Sequence, residues 1–386
     1  MNVLLVSPHF PPNYRYFAFA LRAQGANVLG VGDVGVWELG DDLRGAMADY
    51  VHVPDMYNRR DDLFRAVESL IHRHGDIHRV ESHNEHWLEH DALIREKFNI
   101  WGQRPADLLR NRRKLGMKDC FRNAGVPVAP AELVTSKKQA VDFAKRVGFP
   151  LILKPDVGVG ASGAKKVNTI EELEAAIDPI QPDTVIEKFV RGNIVTYDGL
   201  TDHDGKIVFE TSHKYSAGIM EIVQNRLIFH YYNFREIPEE LLGDGRRAVE
   251  AFGIRERFFH FEFFELPTGE YYGLEVNVRP PGGFTMDMMN WSADIDLYNT
   301  WARIALHGSC ELEYERKYHV AHVGRRDEAR YRLHHDQIMR DLGVAFVHHP
   351  IMPRLWAPVM GDTVYILGDA ELSKLEAAME RVEAVV

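Results

Sequence analysis

The chain has 386 residues, 45% hydrophobic and 27% charged, with a formal net charge of -11. Such a balance describes a soluble globular protein of two or three domains with enough apolar residues to fill large cores. It excludes a basic nucleic-acid-gripping surface as the main mode of action, and no apolar run reaches membrane-spanning length.

Residues 1–110 read as an α/β unit. Strands are predicted over 3–6, 27–31, 51–53 and 79–81, with helices over 14–24, closed by Gly25, and over 61–73. Strands alternating with helices specify a parallel sheet covered on both faces, whose ligands bind beyond the carboxyl ends of the strands. Those ends carry Ser7, His9 and Asn13, then Ser82, His83, Asn84 and Glu85. The turn after the first strand has no glycine pattern, which argues against a dinucleotide site there.

Residues 111–190 change character. A basic helix over 112–123 is broken by Gly125-Val126-Pro127, and a second helix runs over 136–147. A buried strand over 151–155 delivers Lys154 at its end, and a glycine-rich loop over 156–163 follows. Gly158, Gly160 and Gly163 spell G-x-G-x-x-G, but the dinucleotide fingerprint needs a helix directly after the loop. Here a short strand over 164–167 precedes the helix that starts with the capping pattern Thr169 to Glu172. Strand, glycine loop and strand suit a flap whose backbone N–H groups cover phosphates, with Ser162 adding a hydroxyl and Lys154 a point charge. A plain flexible hairpin tip fits the same residues. A strand over 185–190 ends this region.

From 191 to 310 strands dominate, at 194–200, 206–211 and 227–232, with a helix over 239–252 and another over 294–307. Between those helices, two runs rich in Phe, Tyr and Val flank Leu266-Pro267-Thr268-Gly269, whose Pro-x-Gly chemistry suits a tight reversal. In the second run Glu275, Asn277 and Arg279 alternate, so they share one strand face, while Leu274, Val276 and Val278 share the other and are expected in a core. Glu262 on the partner run joins the polar face. Hard oxygen donors of this kind suit Mg2+, which commonly accompanies phosphates. A solvent-exposed edge hairpin would show the same alternation. Residues 311–386 read as a small terminal lobe with strands over 319–323 and 364–367 and a helix over 371–382. Cys120 and Cys310 match no metal spacing and suit a reducing compartment, so a cytoplasmic setting is expected.

One ordered set of segments ties these readings together. It runs from Lys114, ahead of Gly125-Val126-Pro127, through Leu153-Lys154-Pro155 and the glycine loop to Ile186-Glu187-Lys188-Phe189-Val190. It continues with Phe261-Glu262-Phe263 and ends at Leu274-Glu275-Val276-Asn277-Val278-Arg279-Pro280. The set resembles the ATP-grasp superfamily of ligases, in its carboxylate–amine and amino-acid ligase branch. The resemblance is strongest over 111–310. It implies an α/β N-terminal domain with a parallel sheet (1–110), then an α+β ATP-grasp fold. That fold would have a glycine-rich lid subdomain (111–190) and a large subdomain bearing the metal and catalytic site (191–310), followed by a C-terminal lobe (311–386).

The resemblance also implies roles. Lys114 and Lys154 would contact the α- and β-phosphates of ATP. Gly160, Ser162 and Gly163 would cover the phosphates, and Glu187, Lys188, Phe189 and Val190 would form the adenine hinge. Glu262, Glu275 and Asn277 would hold Mg2+, two ions being expected and Mn2+ an alternative. Arg279 would steady the transferring phosphoryl group. The position where many relatives carry a ribose-binding glutamate is Ile194 here, so ribose contacts fall to Lys214 or Asp198. Pro281, Gly282 and Gly283 would lie near the acceptor carboxylate. His213, Lys214, Met220, Tyr231, Tyr232 and Trp291 are further candidates for its pocket.

The implied reaction phosphorylates a small carboxylic acid, an amino acid by preference, and couples the acyl phosphate to an amine, releasing ADP and phosphate. Small-molecule acid and amine substrates are thus the expected partners, with no nucleic acid and no membrane; a homodimer is compatible. Alternatives are a biotin-carboxylase-like enzyme that activates bicarbonate, or a nucleotide-binding regulatory module without turnover.

Overall fold

The computed structural model describes residues 1–386 except 159–162, 219–220 and 223–224. Three sheets organise the chain. The first is parallel: β1 (Asn2–Val6), β2 (Asn27–Gly32), β3 (Asp49–His52) and β4 (Arg79–Glu81) lie in the order β3-β2-β1-β4. A strand covered on both faces needs an unbroken apolar run, and VLLV in β1 supplies one. Val3 and Leu5 pack with Phe17 and Leu21 of the helix Arg15–Ala23. Leu4 and Val6 point the other way and pack with Leu63, Val67 and Leu70 of the helix Arg60–His74.

The second sheet is antiparallel, with β5 (Ala131–Leu133), β6 (Leu151–Pro155), β7 (Lys165–Val167) and β8 (Thr184–Lys188) in the order β5-β8-β6-β7. Its helices Lys137–Val147 and Ile170–Ala176 start on side-chain caps: the Ser136 hydroxyl accepts from the Gln139 N–H at 3.1 Å, and the Thr169 hydroxyl from the Glu172 N–H at 3.2 Å. The expected helix over 112–123 is two helices, Pro105–Arg112 and Lys114–Asn123, with Arg113 extended between them.

The third sheet has nine strands. These are β9 (Asn193–Thr201), β10 (Ile207–Thr211), β11 (His213–Tyr215), β12 (Phe229–Asn233), β13 (Phe258–Glu265), β14 (Tyr271–Asn277), β15 (His319–Arg325), β16 (Phe346–His348) and β17 (Thr363–Asp369). Their order is β14-β13-β9-β11-β12-β15-β17-β16, with β10 also on β9. The strands after residue 319 extend this sheet through β12–β15 pairing. One face of its first strands is apolar: Tyr197, Phe259, Phe261, Phe263, Val276 and Val278 pack with Phe121 and Phe252 from the helices Lys114–Asn123 and Glu239–Phe252. The opposite face is therefore free to carry polar groups.

Where β14 crosses this core, Gly273 lies under the Phe121 ring, and an added Cβ would stand 2.6 Å from Phe121 Cδ1. Gly273→Ala is expected to destabilise the protein by about 1–3 kcal/mol through overpacking. A thermal melt of the variant checks this, and an unchanged midpoint would show that the ring moves freely.

The first and third sheets meet across a buried ionic seam. Arg257, just before β13, places Nη2 2.8 Å from Glu81 Oε1, and Arg95 reaches the other Glu81 oxygen at 3.2 Å. Arg79 Nε lies 2.6 Å from Glu256 Oε1 beside it. Burial drives the Glu81 carboxyl up, but Arg257, His83 and Arg95 outweigh it and hold it down to about 2. Among the described residues, no helix is long and apolar enough to cross a membrane.

Candidate active site

The β13–β14 hairpin sets Glu262 directly opposite Glu275, and His260 opposite Asn277. Between Glu262 and Phe263 the register slips, so Phe263 pairs with Gly273 and Leu274 is the extra residue. This bulge corrects one expectation. Leu274 lines the cavity next to Glu275 rather than the core shared by Val276 and Val278. Strict alternation fails there because a bulge puts two neighbours on one side.

Glu262 meets His260 Nε2 at 3.4 Å, whereas Glu275 has no ion-pair partner within 4 Å among the described residues. Burial, then the facing Glu262 and Glu85, push the Glu275 carboxyl up to about 7 against the pull of Lys114 and Lys154. The sign for stability follows from this. The ordinary value is 4.5, so the native state holds an extra proton between pH 4.5 and 7. Stability contributed by this group is present below 4.5 and is lost as pH climbs through that window. Glu275→Gln is expected to recover on the order of 2 kcal/mol at pH 7.5 without divalent ions. Urea unfolding of both proteins at pH 5 and pH 7.5 reads it; a difference that stays the same at both pH values contradicts it.

Asn277 Oδ1 accepts from Arg279 Nη2 at 3.3 Å, and Arg279 Nη1 donates to the Pro280 carbonyl at 2.8 Å. Arg279 Nε lies 3.4 Å from Glu85 Oε2, on the loop after β4. The carboxyl end of the parallel sheet thus reaches the hairpin, as ligand placement on such sheets anticipates.

The opposite wall comes from the second sheet. Asp156, just after β6, caps the helix Lys114–Asn123: its carbonyl accepts from the Lys114 N–H at 2.9 Å and its Oδ1 from the Leu115 N–H at 3.0 Å. That fixes Lys114 at the first turn, with Nζ donating to the Gly158 carbonyl at 3.2 Å. Burial lowers the Lys114 pKa, with Glu275 opposing the shift. One turn on, buried Lys118 places Nζ 3.0 Å from Glu187 Oε1, while Lys154 Nζ sits 2.6 Å from Glu187 Oε2. Burial raises the Glu187 carboxyl, yet Lys118 and Lys154 together hold it below its ordinary value. The Glu187 side chain therefore clamps two lysines.

These walls enclose a cavity of about 650 Å3. Of the phosphate and hinge residues expected from the sequence, Lys114, Lys154, Glu187, Lys188, Phe189 and Val190 line it. Glu262, Glu275, Asn277, Arg279 and Gly282 line its other side, and Ile194 is there too. Gly160, Ser162 and Met220 lie outside the described residues. Gly163, Pro281, Gly283 and His213 are not among the lining residues. Another cavity, about 700 Å3, opens beside Glu210, Arg246 and Tyr314, but none of the converging residues reaches it.

Several side chains have different work from that anticipated. Asp198 is fully buried and bound to His260 and His213, so it is not free for a ribose. Lys214 Nζ pairs with Glu265 Oε2 at 2.9 Å. The Tyr231 hydroxyl shares a hydrogen bond of 2.9 Å with Thr285 Oγ1, and Trp291 stacks on His348 at 4.3 Å. Sequence reasoning did not single out Lys118 or His260, although each had a signal: Lys118 stands one helical turn from Lys114, and His260 alternates with Glu262. Met360 and Tyr215, which also line the cavity, carried none.

The residues present fit a hard divalent cation. Among the described residues no group of three or more His, Cys, Asp or Glu is arranged to hold a metal. The donor set is instead two facing carboxylates and an amide oxygen, and burial and the facing Glu262 raise the Glu275 carboxyl, a shift that a cation between them would oppose.

The chain is similar to several known proteins. Residues 113–214 match the family model described as the carbamoyl-phosphate synthase L chain, ATP binding domain. The L-arginine-specific L-amino acid ligase of Bacillus subtilis is 22% identical over 272 residues, which is 67% of this chain and 65% of that protein. An L-amino acid ligase from Bacillus licheniformis superposes with a TM-score of 0.74 at 15% identity, over 100% of this chain and 98% of that one. A 2-oxoglutarate carboxylase biotin carboxylase domain dimer of Hydrogenobacter thermophilus, solved with MgADP, ADP and bicarbonate, superposes with a TM-score of 0.69 at 17% identity, over 100% and 90%. The chain spans less than two thirds of the length of the first curated relatives it matches, from 12% to 65%.

Proposed function

From the premise that this chain belongs to the ATP-grasp superfamily, we propose that it is an ADP-forming ligase that joins a small carboxylic acid, an amino acid by preference, to an amine. One observation carries the reading. Lys114 and Lys154 on one wall and Glu262, Glu275, Asn277 and Arg279 on the other face a single cavity of nucleotide-plus-substrate size.

A carboxylate is a poor acyl donor because its leaving group would be oxide. In the proposed reaction an acid oxygen attacks the γ-phosphorus of ATP, the bond to the β-phosphate oxygen breaks, and ADP leaves. The amine nitrogen then attacks the acyl carbon, loses a proton and expels phosphate. Lys114 and Lys154 hold the α- and β-phosphates as point charges, and backbone groups of 187–190 hold adenine. Arg279 balances charge on the transferring phosphoryl group and the acid. Divalent cations held by Glu262, Glu275 and Asn277 would neutralise the phosphate oxygens. The segment after Lys154 covers the phosphates and keeps water from the acyl phosphate. The domain division at residues 110, 190 and 310 is proposed on the same grounds.

A screen of ADP and phosphate release across amino acids, with and without a second amine, tests this reading, with mass spectrometry of the product. Release that needs both an acid and an amine is expected. ATP binding without release for any acid would favour a regulatory module. The likeness to a biotin carboxylase domain supports a second reading, in which bicarbonate is the acid; ATP cleavage that depends on bicarbonate alone would favour it.

A further inference from the structure

The floor of the cavity is backed by a polar stripe that runs across four adjacent strands. Asp198 on β9 lies opposite His260 on β13, and Thr196 opposite Glu262. His260 Nδ1 is 2.5 Å from Asp198 Oδ1, and its Nε2 faces Glu262 Oε1 at 3.4 Å. Asp198 Oδ2 receives His213 Nδ1 at 2.7 Å from β11, and the Thr196 hydroxyl donates to the same oxygen. On β14, Glu275 and Asn277 complete the stripe. Asp198 has no exposed surface and His260 has 6%. Burying an aspartate among histidines is expensive, and apolar residues of similar size would fill the same space at lower cost. The neighbours that point the other way, Phe259 and Phe261, do just that. The stripe occurs on the cavity face and ends at the proposed cation donors.

We propose that His260, anchored by Asp198, is a positioning residue that commits one Glu262 oxygen and presents the other to the divalent cation. The imidazole cannot rotate, because its two nitrogens are held by carboxylates on two strands. Asp198 in turn cannot swing, because Thr196 and His213 hold its second oxygen. The chain from His213 to Glu262 therefore sets the direction of the donor lone pairs before the cation arrives, as partners behind a metal ligand generally do. This inference rests on the cation site proposed above, so its test must separate the two.

The probe is Mn2+, titrated by electron paramagnetic resonance into the full-length protein with a non-hydrolysable ATP analogue. Affinity for the same analogue in EDTA is measured in parallel. Asp198→Asn and His260→Phe are expected to weaken Mn2+ binding by about tenfold to a hundredfold, and His260→Gln, which keeps a donor, to restore it to within about threefold. Analogue affinity in EDTA should stay unchanged in all three. Glu262→Gln should weaken Mn2+ by itself, and adding Asp198→Asn to it should cost nothing further, since both act through one oxygen. If Glu262→Gln loses Mn2+ while Asp198→Asn and His260→Phe keep it, the positioning role is wrong and the cation site stands. If Glu262→Gln keeps Mn2+, the cation site is misplaced and the positioning role falls with it. An equal loss of metal-free analogue binding would assign the stripe to sheet packing and overturn the inference.

Discussion

Glu275→Gln is expected to lower ligase turnover by at least about a hundredfold at saturating ATP. The change keeps the shape of the side chain and removes its charge. The folded protein gains from that in the absence of metal, because the facing Glu262 no longer meets a second carboxylate. With substrates bound the balance reverses. One of two anionic donors is gone, and charge on the phosphates is left without its counterion. Stability and activity should therefore move in opposite directions in one variant, as they do where a protein holds like charges together for function. ADP release at saturating Mg2+ measures the effect. A rate close to that of the unaltered protein would dismiss Glu275 as a cation donor.

Arg279→Ala is expected to cut the turnover rate by about 10²–10³-fold while shifting ATP affinity only a few-fold. The reason lies in its neighbours. Its guanidinium contacts Asn277, the Pro280 carbonyl and Glu85, on the wall opposite Lys114 and Lys154. In the proposed reaction it acts on the acceptor side of the cavity, where charge shifts during phosphoryl transfer. Steady-state kinetics with ATP varied, together with direct nucleotide binding, separate the two quantities. A loss confined to ATP affinity would move Arg279 to the nucleotide side.

Much of this site was legible in the sequence because it is local. Glu275, Asn277 and Arg279 alternate along one strand, and Lys154 closes a buried strand just before a glycine loop. The caps at Ser136 and Thr169 also lie where short-range chemistry puts them. What escaped depends on pairing between distant strands. Asp198 meets His260 only because β9 and β13 are neighbours, and nothing near residue 198 announces a histidine 62 positions later. The clamp of Glu187 on Lys118 and Lys154 is hidden in the same way, since three elements supply it. Leu274 was misplaced for a local reason: a bulge breaks the two-residue period without a proline or glycine at the residue itself. Met360 enters the cavity from the far end of the chain, a closure that no spacing rule encodes.

The ionic seam between the first and third sheets bears on how such proteins can be recombined. A hybrid that took residues 1–110 from this chain and the remainder from a relative without an arginine at the place of Arg257 would take that partner from Glu81 and leave it paired with Arg95. Taking one partner from a buried ionic cluster costs up to about 3–5 kcal/mol, a large part of an ordinary domain's stability. Exchange of the first 110 residues therefore demands that Glu81, Arg95 and Arg79 meet a matching Glu256 and Arg257 across the seam. The inheritable unit is the seam as a whole, to which both sheets contribute.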